Sequence, residues 1–173
     1  MEVLNLIYLL FFALEALLCL ILGIIFCIRR PPVLNALMLL FMAARTLVMM
    51  LPTVVFLISI RIAPPLDMTV YGIVSAVSNV LYYVLIAVMI GIAILSRVRY
   101  GGGQAAVVSA GLLGVVLLSS FLWYFIFIRI VLSFGMDVVL ANNGLFLMKE
   151  LVCLSGGILF LFGVKRVRRG KGE

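Results

Sequence analysis

Five ionisable side chains interrupt the apolar runs of this sequence: Glu15, Arg45, Arg129, Lys149 and Glu150. Charges in such surroundings are costly and take few roles: an ion or proton path, a site for a polar ligand, or a structural pair. Spacing helps to choose. Glu15 lies fourteen residues before Arg29, and Arg45 fourteen after Pro31. The two are equidistant from a turn centred near Arg30, so at ~1.5 Å per residue both stand ~20 Å from the same ends of their helices. Glu150 and Lys149 precede Lys165 by fifteen and sixteen residues, which puts all four near one level.

The four formal charges sum to zero. A proton relay usually keeps an unmatched carboxylate, so neutrality favours a buried network that fixes helix order and register. Lys149 and Glu150 point about 100° apart on one helix, and each therefore needs a partner from another helix. Setting the fifth helix against the first hairpin serves all four: Glu15 meets Arg45 or Lys149, and Arg45 also meets Glu150. Tyr82 and Tyr83, with Ser119 and Ser120, fall in the same layer and could satisfy the remaining donors and lone pairs. Arg129, near the outer end of its run, can snorkel to the interface.

Other chemistry is poorly supplied. Histidine is absent, which removes the commonest general base and metal ligand. Cys19, Cys27 and Cys153 lie in apolar runs with no C-x-x-C, and such cysteines behave as small core residues. No phosphate-cradling G-x-x-x-x-G-K-[ST] and no G-x-S-x-G occurs. A T-V-G-Y-G filter is also missing. Neither a metal nor a cofactor is expected, nor is catalysis.

The elements that must hold these charges follow from composition. Of 173 residues, 67% are hydrophobic and the mean hydropathy is +1.42, against about 45–50% apolar residues in soluble domains. The expected fold is all-α: a polytopic membrane protein, a single domain over 1–173 with five transmembrane helices. These run over about 3–28, 33–60, 69–96, 105–132 and 138–164, with a basic tail at 165–173. Each run exceeds the ~20 residues that cross a ~30 Å hydrocarbon core. They are too long for strands and lack the alternation of a barrel. The first run opens with Glu2 rather than a basic segment and is read as a retained helix.

Arginine and lysine set the orientation. Arg29 and Arg30, then Arg97 and Arg99, then Lys165, Arg166, Arg168, Arg169 and Lys171 all fall on one side of a five-span chain, with Arg61 alone opposite. The N-terminus is therefore expected outside and the C-terminus in the cytoplasm, as a multi-pass protein of the cell membrane. The basic tail reads as a topology signal and an anchor to anionic headgroups. It has no interleaved aromatics, and nucleic acid is not an expected partner.

Smaller signals concern packing. Pro52 should kink the second helix. Asn142-Asn143-Gly144 opens the fifth, and Gly156-Gly157 permits a bend or a close helix approach there. Ala110 with Gly114, and Gly72 with Ser75 and Asn79, are the expected small-residue packing faces. The first and fifth helices share a motif, Glu15-x3-Cys19-Leu20-x2-Gly23 against Glu150-x2-Cys153-Leu154-x2-Gly157, which hints at a repeated unit. The expected function is a non-catalytic membrane module: a subunit, assembly partner or sensory input segment, working with a membrane partner or as a homo-oligomer. The alternative is a small oligomeric transporter or channel using the same four charges.

Overall fold

Helix α1 (Glu2–Arg29) buries one narrow stripe, made of Tyr8, Phe12, Glu15, Cys19 and Leu22. The steps of four, three, four and three residues are those of a helix lying nearly parallel to its neighbour. Its other faces carry Leu10, Leu14, Leu17, Leu20, Ile24 and Ile28, all exposed. This polarity is the reverse of a water-soluble helix: the covered stripe holds the carboxylate and the bare faces are aliphatic.

In the computed structural model the described residues are 2–29, 33–61, 68–100, 103–122, 126, 128–135 and 138–163. All regular structure among them is helical: α1, α2 (Val33–Arg61), α3 (Met68–Tyr100), α4 (Gln104–Leu122), the short α5 (Ile128–Ser133) and α6 (Val138–Gly163). Four stretches are long and apolar enough to cross a membrane: Ile7–Phe26, Val33–Ser59, Thr69–Arg99 and Gly144–Gly163. Gln104–Ser120 is a shorter apolar helix. The fourth apolar run, expected as one helix over 105–132, is described as α4 and α5, with π-type winding at Ile126; residues 123–125 and 127 lie outside the described residues. Helix α5 closes in a turn at Gly135, whose φ of 65° suits a residue without Cβ.

The chain divides into two compact units, Met1–Val88 and Met89–Glu173, with the boundary inside α3. In the first, α1 packs along α2. Helix α2 answers the α1 stripe with Asn35, Met38, Leu39, Met42, Arg45, Thr46 and Met49. It runs through Pro52 as continuous helix. The early part of α3 joins by ring contact, Tyr71 lying 5.7 Å from Phe56.

In the second unit α4 packs closely on α6, and α5 also touches α6. The buried positions of α4 are Ala106, Ser109, Leu113, Val116 and Ser120; those of α6 are Glu150, Cys153, Gly156, Gly157, Phe160 and Leu161. A Cβ added at Gly156 would stand 3.4 Å from both Leu112 and Leu113 and 3.5 Å from the Ser109 carbonyl. One added at Gly163 would overlap the Cβ of Ala105. Missing side chains at these two positions let the helices approach. Helix α6 is continuous past Gly156-Gly157, and Gly156 serves close approach here.

The expected small-residue faces are corrected. Gly114 has nothing within 4 Å of a built Cβ, and the same holds for Gly72. Asn79 is exposed, while Ser78, Tyr82 and Ile86 turn inward. Where every face is apolar, small size alone does not identify the covered face, and the real stripe follows the buried polar residues.

Candidate functional site

The α1–α2 seam places Glu15 and Arg45 thirty residues apart in sequence and in direct contact in space. The guanidinium Nη2 donates to the carboxylate Oε1 as a salt bridge. Helical periodicity produces this meeting: Glu15 stands midway along the α1 stripe, and Arg45 occupies the corresponding place on α2. The side chains are 1% and 0% exposed. A pair sealed to this degree keeps its Coulomb attraction, because no water competes for either charge.

Aromatic surface lies against the cation. The Arg45 guanidinium carbon sits 5.8 Å from the centre of the Tyr82 ring, within the range of a cation–π contact. Tyr83 meets Tyr82 edge-on, with centroids 5.2 Å apart and the planes at 76°. Beside Arg45, Thr46 donates its hydroxyl to the Met42 carbonyl at 3.0 Å. Cys19, one turn from Glu15 on the same stripe, is a buried free thiol.

Ser119 and Ser120 are used locally. Both hydroxyls donate to the carbonyl of Val116 on their own helix, each at 2.9 Å. Glu15 and Arg45 belong to the first unit, Lys149 and Glu150 to the second, and each pair is described within its own unit. Glu150 is fully buried on the α6 stripe, one turn before the buried Cys153, which is in no disulfide. Lys149, its sequence neighbour, is only half-buried and feels the negative charge of Glu150. Arg129 is exposed on α5.

Lys149 lines an open recess of about 160 Å³ between α4 and α6, with Val115, Val116 and Ser119 on one wall and Leu145, Met148 and Val152 on the other. This recess was not foreseen from the sequence. Its only signal there is a lysine three and four residues from apolar neighbours on both sides, a spacing that puts Leu145 and Val152 on the same face.

Asn142 and Asn143 lie in α6, but their side chains fall outside the described residues. The tail residues Lys165, Arg166, Arg168, Arg169 and Lys171 also lie outside them. At the end of α3, Arg97 and Arg99 occupy the last turn, where cations favour the helix dipole. Comparisons with protein-family models, with curated proteins and with solved structures found no match.

Proposed function

We propose that this chain is a non-catalytic module of the cell membrane, a subunit, assembly partner or sensory input segment that acts through another membrane protein. In this reading it crosses the bilayer five times, with its N-terminus outside and its basic tail at anionic cytoplasmic headgroups. The observation that carries the reading is the sealing of Glu15 against Arg45, at 1% and 0% side-chain exposure. A group that passes ions or protons must be reached by them, whereas a pair closed between two helices serves to hold the hairpin in register. Buried ion pairs are best attested in that specifying role.

The recess beside Lys149 is lined by side chains of the second unit and is almost wholly apolar. It lacks the paired carboxylates or carbonyl rings by which membrane proteins usually coordinate a moving cation. That chemistry suits contact with lipid or with another helix.

Reconstitution into liposomes tests the proposal. Vesicles holding the full chain should stay tight to protons, sodium, potassium and chloride, with and without Glu15→Gln. Robust flux that Glu15→Gln abolishes would replace this reading with that of a small transporter. Purification from mild detergent should recover a membrane partner in fixed stoichiometry.

A further inference from the structure

We propose that the groove between α4 and α6 docks a transmembrane helix of a different protein, one that carries an aspartate or glutamate at the level of Lys149. The inference rests on the reading of the chain as an assembly partner and names the surface and the chemistry of the partner.

Helix α6 runs from Val138 to Gly163, so Lys149 is eleven residues from one end and fourteen from the other. At ~1.5 Å per residue that is ~16 Å and ~21 Å, which places the Lys149 backbone inside the hydrocarbon core when α6 is centred in the bilayer. A hydrocarbon core is ~30 Å thick, so a lipid phosphate at either surface is out of reach of this side chain unless the bilayer thins. The occupant must bring its negative charge into the core, as a helix does.

Lys149 lines a recess whose other walls are apolar apart from Ser119, whose hydroxyl donates to Val116 and can offer the ammonium a lone pair but no negative charge. Among the described residues no carboxylate closes on Lys149 as a salt bridge. Glu150 attracts it from the adjacent position but is itself fully buried on another face of α6. A carboxylate arriving in the recess would complete a pair much as Glu15 does for Arg45, with the exposed Val115 and Met148 as its apolar surround.

A second copy of this chain does not fit the groove. The chain has six acidic residues. Glu15 is sealed against Arg45 and Glu150 is fully buried. Glu2, Asp67, Asp137 and Glu173 stand at or beyond the ends of the apolar runs, more than a lysine's length from the Lys149 level. Another copy therefore has no available carboxylate at the right depth.

The test uses full-length protein with a fluorescent donor on its C-terminal tail, in phosphatidylcholine liposomes. Acceptor-labelled model helices of leucine and alanine carry a single Glu or Leu at mid-length. Energy transfer should report roughly tenfold tighter association of the Glu helix than of the Leu helix, as expected for one polar pair in lipid. The preference should vanish in Lys149→Met and persist in Lys149→Arg. Equal binding of both helices, or a preference that survives Lys149→Met, overturns the proposal. So does loss of the preference when phosphatidylglycerol replaces half of the lipid, which would make the occupant an anionic lipid. Lys149-dependent self-association, counted by single-molecule photobleaching, would make it a second copy and overturns the proposal as well. Pyranine sealed in the same vesicles separates the two readings. Proton flux removes the non-catalytic reading whatever the helices do, and tight vesicles without a Glu preference remove the docking site alone.

Discussion

Glu15 of α1 and Arg45 of α2 close on each other inside a helical seam, with the guanidinium over the Tyr82 ring. A buried pair of this kind is asymmetric in its energetics. Removing one partner strands a charge, while removing both leaves only a packing change.

Single and double substitutions should therefore rank in a particular order. Arg45→Met or Glu15→Leu alone is expected to destabilise the protein by about 3 kcal/mol, in the range found when a buried pair is broken. The double variant Glu15→Leu/Arg45→Met should recover most of that loss. Denaturant unfolding in detergent micelles, followed by circular dichroism, measures all three. A double variant as unstable as the sum of the singles would show that the two residues act independently.

Tyr82 should be sensitive to the loss of its ring. Tyr82→Phe keeps the π-face beside Arg45 and is expected to melt above Tyr82→Leu. Tyr82→Leu removes the cation–π contact, worth about 0.5–2 kcal/mol, along with ring packing against Tyr83. Thermal melts of the two variants decide this, and equal melting temperatures would rule the contact out as a source of stability.

The α4–α6 interface yields a prediction with its own rescue. Gly163→Ala should destabilise, because its new methyl overlaps the Cβ of Ala105, and overpacking of this sort costs about 1–3 kcal/mol. Ala105→Gly in the same chain should restore stability. Gly114→Ala serves as the control, since nothing lies within 4 Å of the added methyl. If Gly163→Ala melts like Gly114→Ala, the two helices do not approach where Ala105 and Gly163 place them.

Particular residues show how far the amino-acid pattern could be read. Apolar runs and their Pro, Gly and Arg breaks mark where the long helices lie, because hydrogen-bonded helix is the one local structure that suits so much aliphatic surface. The juxtaposition of Glu15 with Arg45 is legible by counting outward from one turn. The fates of Ser119 and Ser120 are not, since a helical serine can return its proton to the carbonyl three or four residues back, and counting does not choose between that and a neighbouring helix. Gly163 was hidden for a different reason: a glycine at the end of a run looks like a stop, and only the position of Ala105 reveals close packing. Gly114 and Gly72 misled because in a chain apolar on every face, small size has no direction. The recess at Lys149 depends on α4 and α6 lying side by side, a tertiary fact that no local spacing contains.

Whether the fourth apolar run crosses the bilayer decides the orientation of everything after it, and the described geometry makes this worth testing directly. Four stretches are long enough to span, while Gln104–Ser120 is shorter and α5 adds six described residues. The proposed five-span arrangement requires residues 104–133 together to cross, since that alone puts the Arg97–Arg99 segment and the basic tail on the same side. Cysteines introduced one at a time, in a chain whose native cysteines are serine, report the side of each loop to a membrane-impermeant maleimide. Leu66→Cys and Met136→Cys should label in intact cells, and Gly103→Cys and Gly170→Cys only after permeabilisation. If Met136→Cys is protected together with Gly103→Cys while Gly170→Cys labels from outside, the fourth run returns to the side it left. Five spans would then become four, and the basic tail would lie outside against the charge rule, so that pattern would sink the proposed topology.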